Sequence, residues 1–221
     1  QVPYERGSYT ISYYTIQTIF DNDIIGLFRT FENQRPEISR RLGRQYGITE
    51  LHDDPADAKA GYVKGFGSQH VDVVIPAFLA AYSGVSSDDA NLDYFKTLPR
   101  PNWNLKYDGL SDLSFLQDIV QNVTIRHGYK STLTINNFET SLSYNETESG
   151  TPSTFVEDTR SFYAQYEIPT ILINEQFSPL LGIDIKTAND ITVKLDFKKS
   201  RSLSLQTDRY DLNEDKATEY V

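Results

Sequence analysis

Alternation in the last third of the chain restricts its fold more than any other feature. Leu181, Ile183 and Ile185 alternate with Asp184 and Lys186, and Ile191, Val193, Leu195 and Phe197 alternate with Thr192, Lys194 and Asp196. A period of two belongs to a β-strand, whose successive side chains point to opposite faces. The turn-forming stretch Thr187-Ala188-Asn189-Asp190 separates the two runs, so the spacing predicts an antiparallel hairpin with one apolar and one charged face. The second arm keeps its parity through Lys199 and Arg201 to Leu203 and Leu205, which makes it about 16 residues, or roughly 50 Å at ~3.3 Å each. A bilayer strand needs only about 9–11 residues, so such an arm protrudes beyond any lipid it crosses. Parity leaves two settings for the charged face, bulk water around a soluble sandwich or a wide aqueous lumen.

Upstream, Val123, Ile125, His127, Tyr129, Leu133 and Ile135 share one parity, while Phe138, Leu142 and Tyr144 share the other. The switch at Asn136-Asn137 implies a bulge or a tight turn. Residues 146–152 read as a polar loop and 155–168 as strand up to Pro169, with 171–173 a short apolar stub; residues 8–20 read as a first strand. Aromatic residues make up 13% of the chain and tyrosine leads them, which favours β structure with wet faces. The total is roughly seven or eight strands.

Between residues 21 and 102 the period changes. Pro36 suits a first helical turn, Ile38, Leu42 and Tyr46 recur every four residues, and Gly43 or Gly47 ends the run. Residues 47–69 read as a long loop. Residues 71–82 are the most apolar stretch and fit a buried helix packing through Val74, Ile75, Phe78, Leu79 and Tyr82, with Ser83-Gly84 as its stop and Pro76 beginning or kinking a turn. A short helix over 89–96 places Leu92 and Phe95 on one face and Tyr94 off it. The chain therefore divides into strand at 1–20, a helix and loop insertion at 21–102, and antiparallel strands at 103–221.

Charge and composition exclude several functions. The 221 residues carry a net charge of −10, the opposite of a phosphate-neutralising surface, so nucleic acid is not an expected partner. No cysteine is present, which removes disulfides, thiolate nucleophiles and Cys-based zinc or iron–sulfur sites. His52, His70 and His127 lack metal-ligand spacing, and Gly67-Ser68 and Ser149-Gly150 are no nucleophile elbow. Gly65-Phe66-Gly67 is a lone GxG, and Asp53, Asp54 and Asp57 lack the Gly and Glu of an EF-hand loop. Trp103, Tyr107 and Tyr129 fit either a sugar-stacking platform or aromatics at a membrane boundary or in a core. No catalytic residue, metal or cofactor is expected, and the chain reads as a non-enzyme.

Three long segments carry a resemblance: VDVVIPAFLAAYSG (71–84), DYFKTLPRPNWNLKYDGLSDL (93–113) and EQFSPLLGIDIKTANDITVKLDFKKSRSLSL (175–205), supported by FENQRPEISRRLG (31–43) and VTIRHGYKSTLTI (123–135). In this order they resemble the SprA (Sov) family, the outer-membrane translocons of the Bacteroidetes type IX secretion and gliding-motility system. Family members are several-fold longer, so the resemblance implies a slice from the C-terminal part of such a protein. It implies a mainly β fold, antiparallel strands forming part of a very large transmembrane β-barrel with a helical insertion, at the bacterial outer membrane. Implied partners are secreted cargo proteins, a PorV-like outer-membrane barrel, a periplasmic plug protein, a peptidyl-prolyl isomerase and outer-membrane lipid. Carried over, Ile183, Ile185, Ile191, Val193, Leu195 and Phe197 face lipid, Asp184, Lys186, Thr192, Lys194 and Asp196 face the lumen, and the insertion narrows or caps the pore. Lys199 and Arg201 share the lipid-facing parity, and a midplane cation costs about 2–4 kcal/mol, so both are expected at or beyond the membrane interface. The alternative is a soluble secreted β-sandwich that binds glycans or proteins.

Overall fold

In the computed structural model, which describes residues 2–116 and 119–221, the C-terminal alternation forms the antiparallel pair β5 (Thr170–Thr187) and β6 (Thr192–Gln206). Ile183 lies opposite Leu195 and Ile185 opposite Val193. The turn closes through Thr187 N–H to Ile191 O at 2.9 Å and Asp190 N–H to Thr187 O at 3.1 Å. The other strands are β1 (Arg6–Ser12), β2 (Trp103–Tyr107), β3 (Val120–Thr140), β4 (Tyr166–Glu167) and β7 (Asp211–Tyr220). All seven join one antiparallel sheet with main order β1-β3-β5-β6-β7, in which β2 and β4 also pair with β3. The sheet is open, and the described residues form one sheet with helices on it, not the two facing sheets of a sandwich.

Several boundaries differ from expectation. The apolar stub at 171–173 belongs to an 18-residue strand. Residues 155–168 are not a strand, because Phe162 turns aside to pack on Phe66 at 5.5 Å between ring centroids and donates its N–H to Gly65 O at 2.8 Å. Gly65 meets this contact at φ 79, a backbone conformation open to glycine. Only β4 continues the ladder, in line with β5 across Pro169, which has no N–H to give. The parity switch at Asn136-Asn137 is a bulge: β1 pairing jumps from Gly7 opposite Phe138 to Tyr9 opposite Ile135, and Asn137 takes φ 51. Leu142 and Tyr144 lie past the end of β3.

The first strand is also shorter than the expected 8–20. After Ser12 the chain leaves the sheet edge and crosses over one face. There the Thr15 hydroxyl donates to Glu175 at 2.8 Å, and Ile19 is buried against Tyr129 and Phe177.

Three helices precede β2: α1 (Ile24–Gln45), α2 (Pro55–Ala60) and α3 (Val71–Ser83). Asp23 caps α1 by accepting from Gly26 N at 2.8 Å, so the helix starts well before Pro36, which lies in its interior. Leu27, Phe31, Ile38 and Leu42 form its buried stripe. Within the expected loop, Asp54 caps α2, Pro55 opens it and Gly61 closes it in the left-handed region. The apolar helix α3 is found as expected, ending at Gly84 with φ 68, and Val74, Ile75, Phe78, Leu79 and Tyr82 are all buried. The helix expected over 89–96 is only a 3₁₀ turn, Tyr94–Lys96. Tyr94, expected off the packed face, is buried because its hydroxyl donates to Asp72 at 2.9 Å.

Helices α1 and α3 bury Leu133, Ile135, Ile171, Ile173, Leu203 and Leu205, each about 1.5–3 kcal/mol of apolar transfer. The register of β6 against β7 is unbroken, and the irregularity against β5 lies in β5, where residues 177–181 oppose 197–199. The side chains of Val193, Leu195, Phe197, Lys199, Arg201, Leu203 and Leu205 thus stand on a single sheet face. The helical insertion covers the same sheet face as the apolar residues of β6.

Candidate functional site

The end of the sheet that the helices leave uncovered is apolar. Leu195, Ile183, Ile125 and Tyr107 stand side by side on β6, β5, β3 and β2, and Val193, Ile185 and Val123 form a second row. Leu195 is 54% exposed, Ile191 60% and Leu105 59%, while Phe197 stacks on Tyr220 at 4.9 Å. Apolar surface in water is disfavoured by about 25 cal/mol per Å², and a contiguous exposed patch marks a partner or a membrane.

The reverse face of the same strands is charged. Arg126 on β3 reaches Asp184 on β5 at 2.9 Å and Asp196 on β6 at 2.8 Å, while Lys186 pairs with Asp190 at 3.0 Å. Thr192 and Lys194 alternate on this side. The apolar and charged residues stand on opposite sheet faces, and Arg126, whose role the alternation did not reveal, ties the charged set together.

Aromatic rings mark where the exposed apolar zone ends and the covered zone begins. Trp103 stacks on Tyr129 at 4.6 Å, Tyr14 meets Trp103 edge-on at 5.8 Å, Phe177 lies 4.9 Å from Tyr129, and Phe20 lies 5.6 Å from Phe177. Tyr129 is buried and covers one face of Trp103, so Trp103, Tyr107 and Tyr129 present no three-ring sugar platform. The Lys199 ammonium lies 5.3 Å from the centre of the Phe20 ring. Arg201, one step farther, is enclosed: it donates to Glu175 at 2.9 Å and to Thr15 O at 2.9 Å, with Glu214 at 3.6 Å. Neither cation projects into the exposed apolar rows.

One constellation was not legible in sequence. His52 Nε2 stands 3.3 Å from Ser161 Oγ across 109 positions, with Asp57 Oδ2 3.8 Å from Nδ1. It resembles a hydrolase triad in composition only. The Asp54 N–H donates to Nδ1 at 3.1 Å, which places the ring proton on Nε2, pointing at Ser161. The serine then faces a donor rather than a base. Its Oγ already accepts from Gly67 N–H at 3.2 Å, and Asp57 accepts from Ser68 N–H at 2.8 Å. The group holds together the 52–68 turn and the 155–162 segment, and Asp54 and Asp57 serve backbone N–H groups instead of a calcium loop.

No family model matches the chain and no curated protein matches it.

Proposed function

We propose that this chain is a segment of the wall of a protein-conducting outer-membrane translocon, a large β-barrel pore of the type IX secretion and gliding-motility kind. The observation that carries the reading is the pair of opposed faces at the uncovered end of the sheet: exposed Leu195 and Tyr107 with half-buried Ile183 and Ile125 on one side, and Arg126 with Asp184 and Asp196 on the other. An open apolar side calls for a partner or lipid to cover it, and a barrel wall needs apolar outside and polar inside.

The dimensions support it. From Ile191 to Lys199 a strand advances about 26 Å, or about 20 Å of membrane depth at ~40° tilt, against an apolar belt of ~25 Å. The Trp103, Tyr14 and Phe20 rings sit at one end of this run, as interfacial aromatics do in barrels. The sheet's open edges, at β7 and at β1 and β2, await further strands in such a wall.

In this reading Ile183, Ile185, Ile191, Val193, Leu195 and Phe197 contact lipid. Asp184, Lys186, Thr192, Lys194 and Asp196 line a hydrated lumen that offers cargo no apolar patch, and α1 and α3 cap the outside of the wall above the bilayer. No residue makes or breaks a covalent bond; the mechanism is geometric and electrostatic. Secreted cargo, a PorV-like barrel, a periplasmic plug and a prolyl isomerase are proposed as partners of the whole protein, on the sequence resemblance.

The test is denaturant unfolding of the 221-residue chain, with and without detergent micelles. The proposal expects association through open edges and a broad transition in buffer, sharpened by detergent. A monomer with one cooperative transition in plain buffer overturns it and favours a soluble binding module.

A further inference from the structure

A cleft of about 590 Å³ opens where the helical layer meets β3 and β4, away from the uncovered end of the sheet, with Glu5, Tyr46, Asp72, Tyr94, Phe95 and Tyr166 among its walls. Its size is that of a site for a small ligand or a single side chain. Two carboxylates in it are held by tyrosines: Asp72 accepts from Tyr94 at 2.9 Å and Glu5 accepts from Tyr166 at 3.0 Å. Neither has a cationic partner among the described residues. The nearest imidazole nitrogen to Asp72, His70 Nδ1 at 3.9 Å, accepts the Asp72 N–H at 3.1 Å and has no proton to share. The cleft's own lysine, Lys96, is taken by Asp93 at 2.8 Å and points to solvent.

Aromatic faces supply the rest of the lining. Phe95 packs edge-on against Tyr166 at 5.1 Å and against Tyr9 at 5.7 Å, so the rings are fixed before any ligand arrives. Burial, reinforced by Asp72 and Asp93, pushes the Tyr94 hydroxyl well above its ordinary range, and burial with Glu5 raises Tyr166. Only the carboxylate share of these shifts favours a cation, because burial by itself disfavours any charge.

We propose that this cleft binds an arginine side chain of a peptide, its guanidinium bridging Asp72 and Glu5 between the aromatic rings. A planar fork suits two carboxylates and stacks on rings, which a compact ammonium does less well. The proposal does not rest on the translocon reading, and its readout is ligand binding rather than membrane insertion.

The test titrates the full 221-residue chain, held in detergent micelles, with N-acetyl-arginine amide and, separately, with its neutral isostere N-acetyl-citrulline amide, following backbone amides by NMR. Saturable shifts centred on Asp72, Tyr94 and Phe95 are expected, with citrulline at least about tenfold weaker. Asp72→Asn weakens the arginine probe about tenfold, and Glu5→Gln, on an exposed segment that does not threaten folding, weakens it severalfold. Equal affinity for the two probes, or Glu5→Gln and Asp72→Asn both within about twofold of the parent chain, overturns the proposal.

Discussion

Arg201 and Glu175 are cross-strand partners on β6 and β5, 2.9 Å apart, with both side chains closed off from solvent. Around them the Thr15 hydroxyl and the Tyr129 hydroxyl donate to Glu175, and the Thr15 carbonyl accepts from Arg201. An ion pair on the apolar side of a sheet is explained by the segment that crosses it: residues 13–20 supply the polar atoms that a lipid or an aliphatic core lacks. Breaking such a pair leaves a buried charge poorly compensated, Arg201 keeping only Glu214 at 3.6 Å, so Glu175→Leu or Arg201→Met is expected to cost about 3–5 kcal/mol, while the double replacement recovers part of the loss. Urea unfolding of the four proteins in one detergent measures the cycle.

Gly65 predicts a backbone-specific sensitivity. Its φ is 79, and a Cβ there stands 2.1 Å from the Phe162 ring. Gly65→Ala combines left-handed strain with a clash and is expected to cost about 2–4 kcal/mol. Phe162→Leu in the same background relieves part of that cost, which thermal unfolding of the single and double variants reads.

His70 predicts a pH dependence. Burial holds its pKa below the ordinary histidine value, opposed by Asp72, and its Nδ1 caps α3 by accepting the Asp72 N–H at 3.1 Å. Below about pH 6.5 the unfolded chain takes up a proton that the folded imidazole refuses. Stability from this residue is therefore present above that pH and is lost as pH falls through the folded value. His70→Asn, which keeps a capping side chain but does not titrate, is expected to flatten the stability profile between pH 7.5 and 5, as followed by urea midpoints.

The two sheet faces predict opposite responses to the same charge. Leu195→Arg places a cation on the proposed lipid side and is expected to cost about 2–4 kcal/mol of membrane-inserted stability, whereas Thr192→Arg on the reverse side is tolerated. The yield of folded, membrane-integrated protein from each variant distinguishes them.

The β5–β6 hairpin was legible because charge and apolarity alternate without interruption on both arms, and α3 because ten consecutive residues are apolar or small enough to bury. The crossing segment 13–20 was not legible: its Tyr, Thr and Ile alternation is that of a strand, and partners distant in sequence, among them Glu175, Tyr82 and Arg201, hold it off the sheet edge. The start of α1 was missed although Leu27, Phe28 and Phe31 already have helical spacing, because Pro36 is a stronger start signal than Asp23. Asp54-Pro55 and Gly61 carried the cap signals of α2 within a stretch too polar to suggest a helix. For the site, the identity of each face was readable and its covering was not. Leu203 and Leu205 look no different in sequence from Val193 and Leu195, yet helices bury the first pair and leave the second open.

The most direct measurement uses the absence of cysteine in this chain. Single cysteines at Val193, Lys194, Leu195 and Asp196, placed in the protein as the cell makes it, are spin-labelled and reconstituted in lipid bilayers, and the accessibility of each label to oxygen and to a water-soluble nickel chelate is recorded. The account predicts strict alternation, with oxygen dominating at Val193 and Leu195 and nickel at Lys194 and Asp196. Equal nickel accessibility at all four positions contradicts it, because the apolar rows then face water and the sheet is no membrane wall.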